Sequence, residues 1–423
     1  MIQLAVIADD LTGAADTAIQ FRRISAPVLL VSHRHLSSLG LEYPGGTLAV
    51  YTDSRHLSAA EAAARVRRAG LFVKGLAPRV VYKKIDSCMR GNIGAEVDEL
   101  MYLLGCECAF IAPAFPAQGR TTLHDIHFVR GVQLAASEIA RDPASPIRDS
   151  RLSKLIALQS RYPVGQIDVT EFDGGLGRLK EATDNLLRQG RRVIVFDATS
   201  QQHLDLIACL ARDHFPRTLL TGSAGLALAL AHCLPAWKES LPPTGYMVGH
   251  RVIFVCGSSS DVLGEQVEAL VKQACVPRHI LDPGRSVDGC NELAGVGPDL
   301  SAGAVILQLA PVVAEGSNVS RLSTDLASGA LAVVAAEVIR RHRPDALFLS
   351  GGDTAAKVLD AVRATGVWLQ SEILPGLVQG KIKGGDCDGL AVVTKAGAFG
   401  ECDTLLRLYA ILTGKVHVNE YSW

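Results

Sequence analysis

The chain has 423 residues, and its 42 Lys and Arg against 43 Asp and Glu leave a formal net charge of −1. That balance offers no field for nucleic acid or an anionic membrane surface, and the length suffices for two or three domains with large cores. Hydrophobic content of 48% with 5% aromatics fits an α/β enzyme, no apolar stretch approaches a membrane span, and Asp9-Asp10 end the first apolar run too early for a secretion signal, so a cytoplasmic protein is expected.

Short apolar runs alternate with helical patterns almost throughout, which predicts parallel sheets flanked by helices. In the first half the expected strands are Leu4–Ala8, Pro27–Val31, Leu48–Thr52, Val80–Ile85, Ala109–Pro113, Val193–Asp197 and Thr218–Thr221. Expected helices include Ala14–Arg23, Ala59–Ala69, Ile93–Leu104 and Ala224–His232. Pro235, Pro242, Pro243, Gly245 and Gly249 then crowd one stretch and predict a linker over 236–249. The alternation resumes with strands at Val252–Val255, Ala304–Leu309, Ala346–Leu349 and Ala391–Thr394, and a last helix at Thr404–Leu412. The expected architecture is two three-layer α/β domains, 1–235 and 250–423, with mostly parallel sheets and an interdomain cleft. Ten cysteines are scattered along the chain, and no second pair or His couple completes a zinc site beside Cys106 and Cys108. Free thiols are expected.

Three polar clusters fall at the ends of expected strands in the first half, where open α/β sheets bind ligands. The first is Asp9-Asp10 before a helix start of small residues; one aspartate suits an N-cap, while two adjacent ones suggest substrate contact or proton transfer. The second contains Arg55, a planar fork suited to a carboxylate or, alternatively, to an internal salt bridge with a neighbouring Asp. His56 beside it reads as structural. The third, Lys83-Lys84-Ile85-Asp86 with Arg90, brings cations, an acid and Ser87 together; strand alternation lets only one of the two lysines face a ligand. An anionic, hydroxyl-rich small molecule fits this set.

The second half repeats a strand–glycine–hydroxyl–helix plan at Gly257–Ser260, Ser350–Thr354 and Thr394–Gly400, the last with Lys395. Glycines admit phosphate closely, and hydroxyls and helix N–H groups donate to it, so three such turns predict a nucleotide site. No Walker sequence G-x-x-x-x-G-K-[ST] and no G-x-G-x-x-G after a first strand occur, which argues against a P-loop and against a dinucleotide dehydrogenase. His124-Asp125-Ile126-His127 has no further metal ligand in sequence.

The segments Asp9–Ala14, Thr52–Arg55, Lys83–Gly94, Pro113–Thr122, Gly351–Thr354 and Gly389–Gly400 resemble the four-carbon acid sugar kinase family, in the same order and over nearly the whole chain. The resemblance implies an N-terminal acid-sugar domain, a C-terminal nucleotide domain, and transfer of the ATP γ-phosphoryl to the terminal (4-) hydroxyl of D-threonate, D-erythronate or 3-oxo-tetronate. It implies substrate contacts at Asp9, Asp10, Arg55, Lys83, Lys84, Ile85 and Asp86, and ATP contacts at Ser258, Gly351, Gly352, Asp353, Thr354, Gly397, Ala398, Phe399 and Gly400. Cys88 stands where such sequences usually carry Thr, Asp125 near an expected Gly, and Ala398 at a common Gly.

In the resulting mechanism Arg55 with Lys83 or Lys84 holds the sugar carboxylate, and Asp86 or Asp10 accepts the hydroxyl proton. Mg²⁺ accompanies ATP, with Asp353 as one candidate ligand. The alternatives are a non-catalytic acid-sugar or nucleotide sensor and a hydroxy-acid dehydrogenase. No nucleic-acid or membrane partner is expected. The sequence leaves oligomeric state open, a homo-oligomer included.

Overall fold

The computed structural model describes residues 2–39, 45–142, 145–237, 249–281, 303–310 and 321–414. The chain divides into two compact units, Met1–Leu241 and Pro242–Trp423. Most of the expected linker, 238–248, lies outside the described residues, as does Cys290. Trp237 is tied to the first unit by its N–H, which donates to the Ile24 carbonyl at 2.8 Å.

In the first unit the strands are β1 (Ile2–Ala8), β2 (Val28–Ser32), β3 (Gly46–Tyr51), β4 (Val80–Lys84), β5 (Cys108–Ala112), β6 (Arg120–Leu123), β7 (Ile126–Val129), β8 (Val132–Gln133), β9 (Val164–Ile167), β10 (Val193–Phe196) and β11 (Thr218–Gly222). The helices are α1 (Leu11–Ile19), α2 (Ala59–Gly75), α3 (Ile93–Leu104), α4 (Leu152–Ala157), α5 (Gly175–Arg188), α6 (Gln201–His214) and α7 (Ala224–Cys233). The main sheet runs β2-β3-β1-β4-β11-β5-β10-β9, with every pair parallel. Strands β2, β3, β5 and β10 are buried along their whole length, so both faces of the sheet are covered by helices, and the strands read as continuous apolar runs.

Chain order reverses about β1: the chain steps to β2 and β3 on one side, then crosses to β4 on the other. Loops from adjacent strands diverge at such a point and leave a crevice at their carboxyl ends. Between β5 and β9 the chain inserts an antiparallel meander, β6-β7-β8, which the alternation pattern did not reveal.

Helix α1 starts three residues before the expectation because Asp10 caps it, its carboxylate accepting from Gly13 N at 3.1 Å. Helix α2 opens with a Ser58–Glu61 capping box and continues past Gly70, where the pattern suggests a stop. Gly70 is retained inside the helix by close packing, since a Cβ there would meet Leu100 and Leu103 of α3.

In the second unit the strands are β12 (Val252–Cys256), β13 (Arg278–Leu281), β14 (Ala304–Leu309), β15 (Ala346–Ser350), β16 (Gly366–Leu374), β17 (Leu377–Lys383) and β18 (Ala391–Lys395). The helices are α8 (Asp261–Ala274), α9 (Arg321–His342), α10 (Gly352–Ala361) and α11 (Thr404–Leu412). The order β13-β14-β12-β15-β18-β17-β16 is parallel as far as β18 and antiparallel through β17 and β16. Here the reversal falls at β12, between β14 and β15. The core beneath the sheet is built on Phe254, Phe348, Leu263, Val267, Leu408 and Tyr409.

Candidate functional site

In the first unit, β1, β3 and β4 are neighbours in register, Ala8 lying opposite both Tyr51 and Lys84. Their carboxyl ends therefore deliver Asp9-Asp10, Ser54-Arg55 and Lys84–Arg90 to one place. Arg55 donates from Nε to Asp9 Oδ2 at 2.6 Å and from its second amino nitrogen to Asp10 Oδ1 at 2.8 Å; Asp86 Oδ1 lies 3.8 Å away. Arg90 grips Asp86 with two guanidinium contacts, 2.7 and 3.2 Å, and reaches Asp142 at 3.3 Å. The internal alternatives for Asp10 and Arg55 are thus both realised: Asp10 caps α1, and Arg55 forms salt bridges.

The two lysines part company. Lys83 is fully buried, its ammonium 2.6 Å from Glu96 Oε2 and donating to the Lys84 carbonyl at 2.8 Å. Glu96 also accepts from Ser54 Oγ at 2.6 Å, so this pair is a sealed support beneath the strand ends. Lys83, expected to contact the substrate, is placed with its ammonium enclosed against Glu96. Ile85 is also placed inward, 1% exposed, with its N–H on the Gly222 carbonyl. Lys84 points the other way. A Cβ on Gly13 would overlap the Lys84 ammonium and Asp10 Oδ1, so a glycine in the first turn of α1 is what admits this cation. Lys84 is only 5% exposed, yet among the described residues no hydrogen bond or ion pair occupies its ammonium.

Charge is arranged accordingly. Burial pushes the Asp86 carboxyl up, but Arg90 and Arg55 outweigh it and hold it far below the usual carboxylate range. Burial likewise opposes ionisation of Asp9, and Arg55 and Lys84 reverse it, so Asp9 is lowered. Glu96, enclosed with Lys83, is raised because burial dominates. Burial lowers Arg55, and Asp10, Asp9 and Asp86 more than restore it, lifting it well above its usual value. Asp9 Oδ1 is buried without a hydrogen-bond partner.

In the second unit, β12, β15 and β18 end level, Cys256 opposite Ser350 and Ser350 opposite Lys395. The three turns touch. A Cβ on Gly397 would overlap Ser258, one on Gly257 would overlap Thr354, and Gly351 lies against Ser258 with a φ of +95°. Ser260 caps α8 and donates from its hydroxyl to the Gly397 carbonyl at 3.0 Å, pinning the last turn to the first. Gly352 and Asp353 open α10, and Phe399 packs on Gly376. Ala398 and Gly400 complete the 396–400 turn, Gly400 with a φ of +85°.

Lys395, expected at the nucleotide, is placed beneath the last turn. It is fully buried, and its ammonium donates to the carbonyls of Ala396, Gly397 and Phe399, each at 3.0 Å. Burial without a carboxylate partner drives its pKa down to about 7. It moulds the turn from below.

His124, Asp168 and Asp197 form the one candidate metal grouping among the described residues. Asp197 already accepts from the backbone N–H groups of His124, Asp125 and Val169 at 2.6 to 3.1 Å, so its oxygens serve the meander. His124 and Asp125 both have positive φ, 51° and 66°, a conformation that hairpin turns usually give to Asn-Gly. Asp197 and the Asp125–Ser153 hydrogen bonds stabilise it, which accounts for an aspartate where glycine is common. Sequence reasoning missed Glu96, Asp142 and the buried His127, whose Nε2 meets the Ser87 carbonyl at 2.7 Å; none lies in a local motif that signals it.

Two family models match in chain order: a sugar-binding N-terminal domain over residues 4–230 and a nucleotide-binding C-terminal domain over residues 253–405. The chain is 35% identical to a D-threonate kinase of Salmonella typhimurium, covering 96% of this chain and 97% of that protein. It is 28% identical to a D-erythronate kinase of Heliobacterium modesticaldum, covering 100% and 99%, and 30% identical to a 3-oxo-tetronate kinase of Methylobacterium radiotolerans, covering 95% and 97%. A solved structure from Salmonella typhimurium LT2 superposes with a TM-score of 0.77 at 26% identity, covering 96% of this chain and 99% of that one.

Proposed function

This chain belongs to the four-carbon acid sugar kinase family, and from that membership we propose that it transfers the γ-phosphoryl group of ATP to the terminal hydroxyl of a four-carbon acid sugar such as D-threonate, D-erythronate or 3-oxo-tetronate. The observation that carries the acceptor half is Lys84: a nearly buried ammonium that makes no hydrogen bond or ion pair among the described residues and lies against Gly13 in the first turn of α1. Its charge already helps hold Asp9 and Asp86 ionised, while its N–H donors are left open to a bound carboxylate. Asp9 and Asp86, held ionised, accept hydrogen bonds from the sugar hydroxyls, while Arg55 holds the acids apart and Arg90 orients Asp86.

Phosphoryl transfer demands positioning and charge neutralisation more than a strong base. Asp86, kept ionised by two arginines, is a weak base well suited to orienting the attacking hydroxyl and taking its proton late. Asp10 is the second candidate, with its oxygens engaged by Gly13, Thr12 and Arg55. In the second unit the Ser258, Gly351–Thr354 and Gly397–Gly400 turns receive the triphosphate through backbone N–H groups and hydroxyls. Their donors are all oxygen (the Asp353 carboxylate and the Ser258 and Thr354 hydroxyls), which fits Mg²⁺ arriving with the nucleotide. The metal would neutralise phosphate charge. A cytoplasmic setting, where ATP is available, belongs to the same reading; among the described residues no helix is long and apolar enough to cross a membrane.

A coupled ADP-release assay across four-carbon acid sugars tests the activity. Turnover with at least one of them is expected, and Asp86→Asn and Asp10→Asn identify the proton acceptor. Near-normal rates in both variants would remove the base assignment, and no turnover with any acid sugar would remove the substrate class.

A further inference from the structure

We propose that His127 is a positioning residue for the acceptor: from the β6–β8 meander its ring fixes the Ser87 carbonyl and thereby sets the Asp86 carboxylate and the Arg90 guanidinium. The inference rests on reading Asp86 and Arg90 as the part of the site that meets the sugar.

The ring is completely buried and both nitrogens are engaged, Nε2 with the Ser87 carbonyl at 2.7 Å and Nδ1 with Thr122 Oγ1 at 2.9 Å. A carbonyl only accepts, so Nε2 carries the hydrogen; Nδ1 then accepts from the Thr122 hydroxyl, which selects this tautomer. Burial drives the ring's pKa down to about 4 against the pull of the Ser87 hydrogen bond, so it is a neutral strut at working pH. It is no proton carrier.

What it holds is a turn in need of holding. Met89 adopts a φ of +62° and Gly91 one of +96°, and a long side chain at positive φ persists only where its surroundings over-determine it. Within the turn, Met89 N–H donates to the Asp86 carbonyl at 3.0 Å, and Arg90 N–H to Asp86 Oδ2 at 3.2 Å. From outside, Asn92 Nδ2 donates to the Ser54 and Leu57 carbonyls, and His127 grips Ser87, the residue directly after Asp86. The meander is itself braced: Thr122 exchanges backbone hydrogen bonds with Ala198, and Asp197 accepts from His124 and Asp125. A continuous path thus runs from β10 through the meander to Asp86 and Arg90.

The test compares full-length wild type with His127→Leu, His127→Gln and Thr122→Val, using steady-state kinetics with a four-carbon acid sugar and ATP, and hydrogen–deuterium exchange of the 85–92 peptide. Loss of a buried hydrogen bond that orphans its acceptor predicts about a tenfold or greater rise in acceptor KM for His127→Leu. The KM for ATP should hold, and exchange of 85–92 should quicken. His127→Gln, whose amide can still donate to Ser87, should recover most of the loss, and Thr122→Val should give a smaller shift in the same direction. An unchanged acceptor KM in His127→Leu, or equal shifts for acceptor and ATP, would overturn the proposal. Should His127→Leu not fold, Thr122→Val and His127→Gln decide on the same criteria. Should the wild type phosphorylate no acid sugar, the proposed activity fails, and the exchange data alone then decide whether His127 holds the turn.

Discussion

At the scale of single residues, adjacent identical side chains have opposite fates. Lys83 and Lys84 alternate across β4, so one enters the sheet's covered face and the other meets the helix start. The sequence requires that alternation but cannot orient it, because Glu96, the partner that claims Lys83, arrives from α3. Replacing Lys84 by Met should raise the acceptor KM by about tenfold to a hundredfold, the loss of one charge-assisted contact. Because Lys84 makes no hydrogen bond or ion pair among the described residues and acts on Asp9 and Asp86 only through its charge, the same change should lower the melting temperature little. Lys83→Met should lower it more, since Glu96 would be left buried and unpaired. Kinetics and thermal melting on both variants check the contrast.

At the scale of elements, the turns of the second unit are set by close approach. Gly397→Ala would drive a methyl group into Ser258, so the predicted outcome is a several-fold rise in the KM for ATP with the acceptor KM held. Equal shifts in both would show that the turn serves general stability. Most strands of both sheets were legible because burial on two faces demands uninterrupted apolar runs; β9, β13, β16 and β17, whose runs are interrupted by polar or partly exposed positions, were not expected. The meander was not: β6, β7 and β8 are short, and their turn uses His124-Asp125 in place of Asn-Gly. Its stability comes from Asp197, far along the chain, so no local pattern announced it. Helix α2 outran its expected end for a related reason, since packing on α3 outweighs the intrinsic cost of Gly70.

At the scale of the whole molecule, buried bases and acids give stability a defined pH dependence. His127 and His33 are both lowered to about 4, chiefly by burial. Between roughly pH 4 and 6.5 the unfolded chain binds more protons at these rings than the fold does, so stability falls as pH drops through that window. For His127 the loss amounts to on the order of 3 kcal/mol. His127→Gln should flatten that part of a melting-temperature profile. Lys395, lowered to about 7, acts at the other end. Unfolded lysine keeps its proton to near pH 10.4, so stability should rise as pH increases from about 7 toward 10. Calorimetric melting of wild type and Lys395→Met across pH 4 to 10 checks both limbs; a flat wild-type profile would refute them.

The sequence by itself determined the α/β class, most strands, and the strand ends at which charged and glycine-rich segments gather, because these follow from local periodicity and from where polar residues interrupt apolar runs. The family likeness was also written there, in motif order. Tertiary structure alone decided which side chains face outward. Asp10 became a cap, Arg55 a bridge between acids, Lys83 and Lys395 supports, and Lys84 the cation without a partner among the described residues. Asp10 and Lys395 find their hydrogen bonds within their own turns, whereas Arg55 and Lys83 depend on acids from distant segments, and the cost of burying those charges is settled only when the segments meet.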